Sequence, residues 1–108
     1  MTLKEEIAIF NEYTEVMKAV FAKKRADYGP TSEETFEKFG PVSMVIRMHD
    51  KLGRLDNLLG KNHTPLVKDE SAEDTLLDLA NYCLITLLEL HKAKIKYDAQ
   101  HCVKGVIE

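Results

Sequence analysis

Four oxygen-bearing side chains recur at helical spacing along one stretch of the sequence. They follow one another at intervals of four, four and three residues: Glu70, Asp74, Asp78 and Asn81. On a helix these intervals place all four on one face, which continues through the apolar residues Ile85 and Leu88. A face that begins acidic and becomes hydrophobic indicates carboxylates that enter a packed interior.

Buried carboxylates on adjacent helical turns repel one another and lose hydration, so they need a cation to stay ionised. A metal ion is the simplest such cation. Oxygen ligands without an organised set of histidines or cysteines favour a hard ion. The pattern therefore predicts magnesium at this face, with manganese as the alternative.

A second polar line runs along the preceding segment between two apolar flanks. Its members are spaced four, three, four, three and four residues apart: Ser43, Arg47, Asp50, Arg54, Asn57 and Lys61. Asp50 can join the oxygen cluster, while Lys51 and Arg54 can hold phosphate oxygens, an arrangement that suits polyphosphate chemistry. Spacing alone supports an alternative equally well, namely structural ion pairs between two helices. In that case Arg47 and Arg54 neutralise the acidic line.

The segment before these lines predicts a first helix over residues 3–27. Thr2 and Glu5 form a capping-box pattern at its start, and Gly29 ends it with a residue that tolerates the left-handed region. The basic run over 23–25 complements the helix dipole at this end, and phosphate contact is the less favoured interpretation.

Proline and glycine divide the rest of the chain into further helical segments. We expect a loop with a short helical turn over 31–40, and then a helix over 42–59. After a polar loop over 61–68, a long helix starts near residue 69 or 71 and extends at least to residue 94 or 96. The sequence therefore predicts an all-α bundle of about four helices.

Composition limits the class of protein further. The chain has 108 residues, with 15 Lys and Arg against 18 Asp and Glu, a formal charge of −3. This predicts one domain over 1–108 that binds no nucleic acid polymer, because no basic face is available to neutralise a run of phosphates. The longest uncharged stretch has ten residues, too few to cross a bilayer. With no secretory signal and only two cysteines, we expect a cytoplasmic protein without a membrane association.

The two polar lines together resemble a known family. The runs over 47–57 and 70–82 are similar to the two core helices of the all-α nucleoside triphosphate pyrophosphatases, the MazG-like superfamily. Asp27-Tyr28-Gly29 and Phe39-Gly40 look closest to its phage-associated and bacterial branch, the nucleotide modification associated domain. The resemblance covers residues from about 20 to 90.

The resemblance implies a set of magnesium ligands. The superfamily carries Glu-x-x-Glu on one helix and Glu-x-x-Asp on the next, and these four carboxylates bind magnesium. Here Asp78 matches the last position, and Asp74 stands one residue before the expected Glu. Asp50 is kept from the first motif, but Arg47 occupies the place of its first Glu. Glu70, or Glu73 beside it, is the candidate for the missing carboxylate.

The resemblance also implies a reaction and an assembly. We expect hydrolysis of a nucleoside or deoxynucleoside triphosphate between the α- and β-phosphates, giving the monophosphate and pyrophosphate. Superfamily members are usually dimers or tetramers whose site is shared across a helix interface. A homodimer or homotetramer would suit the all-round apolar character of residues 76–90.

The expected roles of the residues follow from these patterns. The predicted magnesium ligands are Asp50, Glu70, Asp74 and Asp78. Lys51 and Arg54 hold phosphate oxygens, Asn81 binds sugar, base or a metal-bound water, and Tyr28 stacks on the base or packs against the first helix. The alternative is a non-catalytic helical module that binds a nucleotide or a partner through the same residues.

Overall fold

The computed structural model describes residues 1–60 and 71–100, apart from the side chain of Tyr28. These residues form four helices and, within those ranges, no strand: α1 Leu3–Tyr28, α2 Thr31–Phe39, α3 Val42–Leu59 and α4 Ala72–Gln100. The predicted all-α bundle of about four helices is confirmed. None of the described helices is long and apolar enough to span a membrane.

The ends of α1 form as the sequence predicts. The Thr2 hydroxyl accepts a hydrogen bond from the Glu5 amide at 3.1 Å and donates to the Glu5 carboxylate at 3.2 Å. At the other end Gly29 has a φ of 68°, and its N–H donates to the Arg25 carbonyl at 2.9 Å. Glycine adopts this positive φ without steric cost, so the chain can leave the helix axis here.

The segment over 31–40 is more ordered than the predicted loop with a short helical turn. It forms the nine-residue helix α2, with Glu33 and Glu34 in the first turn and Lys38 in the last, as the helix dipole favours. Phe36 is buried and anchors α2 to the bundle. Tertiary burial of this ring stabilises a helix that is too short to be stable alone.

The helix α4 lies at the centre of the bundle. It packs most extensively on α3 and also contacts α1 and α2. The pairs Lys51–Asp78 and Met48–Cys83 show that α3 and α4 run antiparallel, because the earlier residue of α3 meets the later residue of α4. This packing brings the two polar lines of the sequence side by side.

The buried core of the described residues is small. Its apolar members are Met17, Phe36, Met44 and Leu55, and its polar members are Ser43, Thr75 and Glu89. Met44 is fully buried, which contributes about 1.5–3 kcal/mol of hydrophobic stabilisation. Thr75 and Ser43 satisfy their hydroxyls within their own segments, on the Ser71 and Gly40 carbonyls.

Much apolar surface remains exposed in the single chain. In α1 one stripe begins with Leu3, Ile7 and Phe10, which are 70%, 51% and 69% exposed, and ends with Met17, which is buried against the bundle. The same helix face is therefore covered at its C-terminal half and open at its N-terminal half. Leu76, Leu84, Leu87 and Leu90 of α4 are also exposed.

Candidate functional site

A cavity of about 410 Å³ lies where the C-terminal turns of α1, the start of α2, and the facing parts of α3 and α4 meet. Cations, polar groups and rings all contribute to its wall: Lys24, Arg25, Arg47, Asp78, Asn81, Thr31, Ser32, Phe21, Tyr82 and Ile85, together with Gly29. The wall therefore combines groups that can bind phosphate with rings that can contact a base.

Asp78 is the carboxylate of this wall, and two lysines hold it. Lys51 Nζ donates to Asp78 Oδ2 at 3.1 Å, and Lys24 Nζ lies 3.9 Å from Asp78 Oδ1. The Lys51 side chain is 16% exposed and that of Asp78 is 34% exposed, so water still reaches the carboxylate. The pairs tie α3 and α1 to α4 through a single carboxylate.

Arg25 extends from α1 into the cavity wall, and three contacts hold its guanidinium in place. Its Nη2 donates to the Ser32 hydroxyl at 3.2 Å and lies 3.6 Å from Glu89 Oε1. The guanidinium carbon lies 5.3 Å from the centre of the Phe21 ring, within cation–π distance. The Glu89 side chain is 1% exposed and also binds Lys92 Nζ at 3.2 Å.

Arg47 and Asn81 complete the polar wall. The guanidinium of Arg47 lies 6.0 Å from the centre of the Tyr82 ring, so a cation and an aromatic face stand together at the cavity. Asn81 Nδ2 donates to the Met17 carbonyl at 3.3 Å. This bond orients the side chain and leaves Oδ1 as the atom that can accept from a ligand.

Only some of the predicted site residues line the cavity. Asp78 and Asn81 line it, and Lys51 reaches it through Asp78. Asp50, Arg54 and Asp74 are exposed on their helices and are not part of its wall. Asp74 stands in the first turn of α4, where its backbone N–H donates a capping hydrogen bond to the Ser71 hydroxyl at 3.0 Å.

Two further predicted residues cannot be assigned to the wall. Glu70 lies outside the described residues, and so does the side chain of Tyr28, although the backbone of Tyr28 ends α1. The expected contacts of both therefore stay predictions.

The described residues of one chain do not by themselves fit a magnesium ion. Over 1–60 and 71–100, no three histidine, cysteine, aspartate or glutamate side chains gather where they could share a metal. The cations held against Asp78 come from lysines, so its charge is already compensated. The four-carboxylate site stays a prediction that requires groups beyond these residues.

The structure contains ion pairs between helices, as in the alternative interpretation, but the cations paired with Asp78 differ from the predicted arginines. Lysines of α1 and α3 neutralise Asp78, whereas Arg47 lies over the Tyr82 ring. The periodicity predicted that Arg47 lies on the face of α3 that packs against α4. It does not determine which group of α4 this long side chain contacts.

Several residues that line the cavity, or that contact its wall, were not among the predicted site residues. Lys24 and Arg25 belong to the basic run before Gly29, for which a helix-dipole role was favoured over phosphate contact. Glu89 was missed altogether. A signal for it exists, since it is a single carboxylate between Leu88 and Leu90 in a helix that is otherwise apolar there.

The sequence is similar to a known protein family. The family described as Nucleotide modification associated domain 1 matches residues 24–90. No curated protein and no solved structure is significantly similar to the chain. The matched range begins at Lys24 and contains Arg47, Asp78 and Tyr82, so it covers most of the cavity wall. Because the match covers more than half of the chain, the chain belongs to the family of Nucleotide modification associated domain 1.

Proposed function

We propose that the cavity binds a nucleoside or deoxynucleoside triphosphate and that the protein hydrolyses it to the monophosphate and pyrophosphate. One observation carries this proposal: Lys24, Arg25 and Arg47 line the same cavity as a carboxylate and the Tyr82 ring. The description of the family, which associates it with nucleotide modification, supports a nucleotide as the ligand.

The charge around the cavity favours a polyphosphate. The cations Lys24, Arg25, Arg47 and Lys51 stand against the carboxylates Asp78 and Glu89, a local excess of two positive charges. The chain as a whole carries −3. A positive concavity on an acidic protein attracts small anions and disfavours long ones, because the surrounding surface repels an extended phosphate backbone.

The cavity also contains groups that can bind the nucleoside part of the ligand. The rings of Phe21 and Tyr82 offer aromatic surfaces on which a base can stack, and each ring stands beside a guanidinium. Asn81 Oδ1 can accept from an N–H or O–H of the base or sugar, because its Nδ2 is bound to the Met17 carbonyl. These groups support a nucleoside rather than free polyphosphate as the ligand.

The reaction needs a group that directs water to phosphorus. Water adds to the α-phosphorus, the bond from that phosphorus to the bridging oxygen breaks, and pyrophosphate leaves with the electron pair. Asp78 is the group we assign to the water, and Oδ1 is the better-placed oxygen to take its proton, since Oδ2 accepts from Lys51. Lys24, Arg25 and Arg47 bind the oxygens of the polyphosphate.

Magnesium, with manganese as the alternative, belongs to this proposal as the ion that accompanies the triphosphate. Asp50, Glu70 and Asp74 remain its proposed protein ligands, whereas Asp78, the fourth predicted ligand, is assigned to the attacking water. The donor set has the correct chemistry, because carboxylate oxygens suit hard divalent ions.

We also propose a homodimer or homotetramer. The open half of the α1 stripe, Leu3, Ile7 and Phe10, continues a face that is buried at Met17, so a second copy could extend the same helix packing. A second copy could also supply the carboxylates that one chain does not gather. Sedimentation of Phe10→Glu should show dissociation, whereas Glu12→Lys on the same helix should stay assembled. A monomeric native protein would contradict this part of the proposal.

A non-catalytic nucleotide-binding module is the second candidate. The observation that favours it is the state of Asp78, which already has two cationic partners. In that case Asp78 is a structural ion-pair member, and the cavity binds nucleotide without turnover.

One experiment separates these candidates. The protein is incubated with magnesium and a panel of ribo- and deoxynucleoside triphosphates, and both binding and pyrophosphate release are measured. Asp78→Asn is the test variant, and Asp56→Asn, an exposed carboxylate of α3 outside the cavity wall, is the matched control.

Three outcomes are informative. Release by the native protein and Asp56→Asn, with loss in Asp78→Asn, supports the hydrolase. Binding without release in all three supports the non-catalytic module. Neither binding nor release, across the panel, contradicts both.

A further inference from the structure

We propose that Glu89 is a positioning residue that holds the Arg25 guanidinium toward the phosphate groups of the ligand. This inference rests on the proposed function, since it assigns Arg25 to the polyphosphate. Glu89 itself lies outside the cavity wall and acts through Arg25.

The burial of Glu89 makes its pairing obligatory. Its side chain is 1% exposed, and a carboxylate removed from water needs compensating cations. Arg25 of α1, at 3.6 Å, and Lys92 of α4, at 3.2 Å, supply them. The carboxylate therefore fixes a guanidinium from another helix at a defined place.

The contacts of Arg25 leave its other donors for a ligand. Both polar contacts, to Glu89 and Ser32, are made through Nη2, and the Phe21 ring covers part of the guanidinium. Within the described residues Nε and Nη1 have no such contact. Arginine has five N–H donors in a rigid fork, so a guanidinium held by one nitrogen can still present the others to phosphate.

Fixing this side chain should raise affinity. Arg25 is long and has many rotamers, and a free arginine loses that freedom when it binds a ligand. Contacts from α4 and α2, together with the ring of α1, remove most of it before the ligand arrives. Glu89 then acts by preorganisation, without touching the ligand.

Lys92 provides a matched control. It is the other cation on Glu89 and also lies 3.4 Å from Glu33 of α2, but it is not part of the wall of the phosphate cavity. Removing Lys92 disturbs the same buried carboxylate without removing the link to Arg25. A merely structural role of Glu89 predicts similar effects for the two changes.

The test measures the affinity for inorganic tripolyphosphate by calorimetry in the native protein, Glu89→Gln, Arg25→Met, the double variant and Lys92→Met. We expect Glu89→Gln to weaken binding about 5-fold or more, and Arg25→Met about 10-fold, as for loss of a charge-assisted hydrogen bond. The double variant should match Arg25→Met. Lys92→Met should stay within about 2-fold of the native protein even where its melting temperature falls.

Other results would overturn the inference. Unchanged affinity in Glu89→Gln, or a further loss when Glu89→Gln is added to Arg25→Met, shows that Glu89 does not act through Arg25. If Glu89→Gln does not fold, the test uses instead the double variant of Glu89→Met and Lys92→Met, which removes the negative charge of Glu89 together with the positive charge of Lys92. Native affinity in that variant contradicts the proposal.

A second readout separates this inference from the proposed function. In the ligand-free protein, the Nε–Hε NMR signal of Arg25 should be sharp, and it should broaden in Glu89→Gln but not in Lys92→Met. If the native protein binds neither tripolyphosphate nor any nucleotide, the proposed function fails. An Arg25 signal that is unchanged by Glu89→Gln overturns the positioning role, whatever the binding result.

Discussion

Asp78 and Glu89 lie on the same face of α4, eleven residues or about three helical turns apart, and two cations hold each of them. They differ in their access to water. The side chain of Asp78 is 34% exposed and belongs to the cavity wall, whereas that of Glu89 is 1% exposed and lies behind it. The same type of pairing therefore occurs once at a carboxylate that water reaches and once at a carboxylate that is almost fully buried.

The difference in hydration gives the two carboxylates different capacities. Water screens the attraction between Asp78 and its lysines, so a ligand can displace them at little cost. Glu89 cannot exchange its partners for water, because an unpaired buried carboxylate is strongly unfavourable. One carboxylate is suited to chemistry, and the other to fixing the groups around it.

The largest effect that this comparison predicts is on turnover. Asp78→Asn should lower kcat by about 100-fold or more, because the amide cannot take a proton from water. The free energy of unfolding should change by less than about 1 kcal/mol, as for an exposed ion pair. Steady-state pyrophosphate release and urea unfolding measure the two quantities. Retained kcat would remove Asp78 from the chemistry.

The free energy of unfolding should depend more strongly on Glu89 than on Asp78. Glu89→Ala should lower the free energy of unfolding by about 2–3 kcal/mol, because it leaves a cavity and two cations without their carboxylate. Asp78→Ala should cost less than about 1 kcal/mol. Equal losses in paired denaturation curves would show that burial does not distinguish these sites.

Removing one cation at each carboxylate sharpens the comparison. Lys92→Met should destabilise the fold by about 1–2 kcal/mol, since Glu89 keeps only Arg25. Lys51→Met should cost about 1 kcal/mol or less, because Asp78 keeps Lys24 and water. Thermal unfolding of the two variants in parallel tests the order, and a larger loss for Lys51→Met would contradict it.

The smallest effect is expected at the exposed end of the same α2–α4 contact. A hydrogen bond to the Glu37 carboxylate, and the charge of that carboxylate, raise the pKa of Lys96 above its ordinary value. The pair therefore stabilises the fold below about pH 10, and this contribution is lost as the pH rises through the raised pKa. The stability difference between the native protein and Lys96→Met should shrink along a pH series from 9 to 12. A difference that grows over this range would contradict the assignment.

Much of the fold could be predicted because its signals are local. The Thr2 cap, the glycines at 29 and 40 and the periodicity of the long segments define the helix ends within a few residues. The helix α2 was underestimated, since its nine residues depend on burial of Phe36 against other helices. A contact between distant segments leaves no mark in the periodicity of the segment itself.

The candidate site was predicted only in part, for the same reason. Asp78, Asn81 and Lys51 followed from two helix faces that were expected to meet. Arg25 and Glu89 come from faces whose contact depends on how α1 crosses α4, and spacing within a helix contains no information about that crossing.

By itself, then, the sequence determined that this protein is all-α, where its helices run and which faces are acidic, basic or apolar, because these properties arise from side-chain order at 3.6 residues per turn. Only the tertiary structure decided which cations meet which carboxylates. It placed Lys51 and Lys24 on Asp78 at a cavity, and Arg25 and Lys92 on Glu89 in the interior. The physical reason is that pairing and hydration depend on the distances between helices, which the packing of the whole bundle sets.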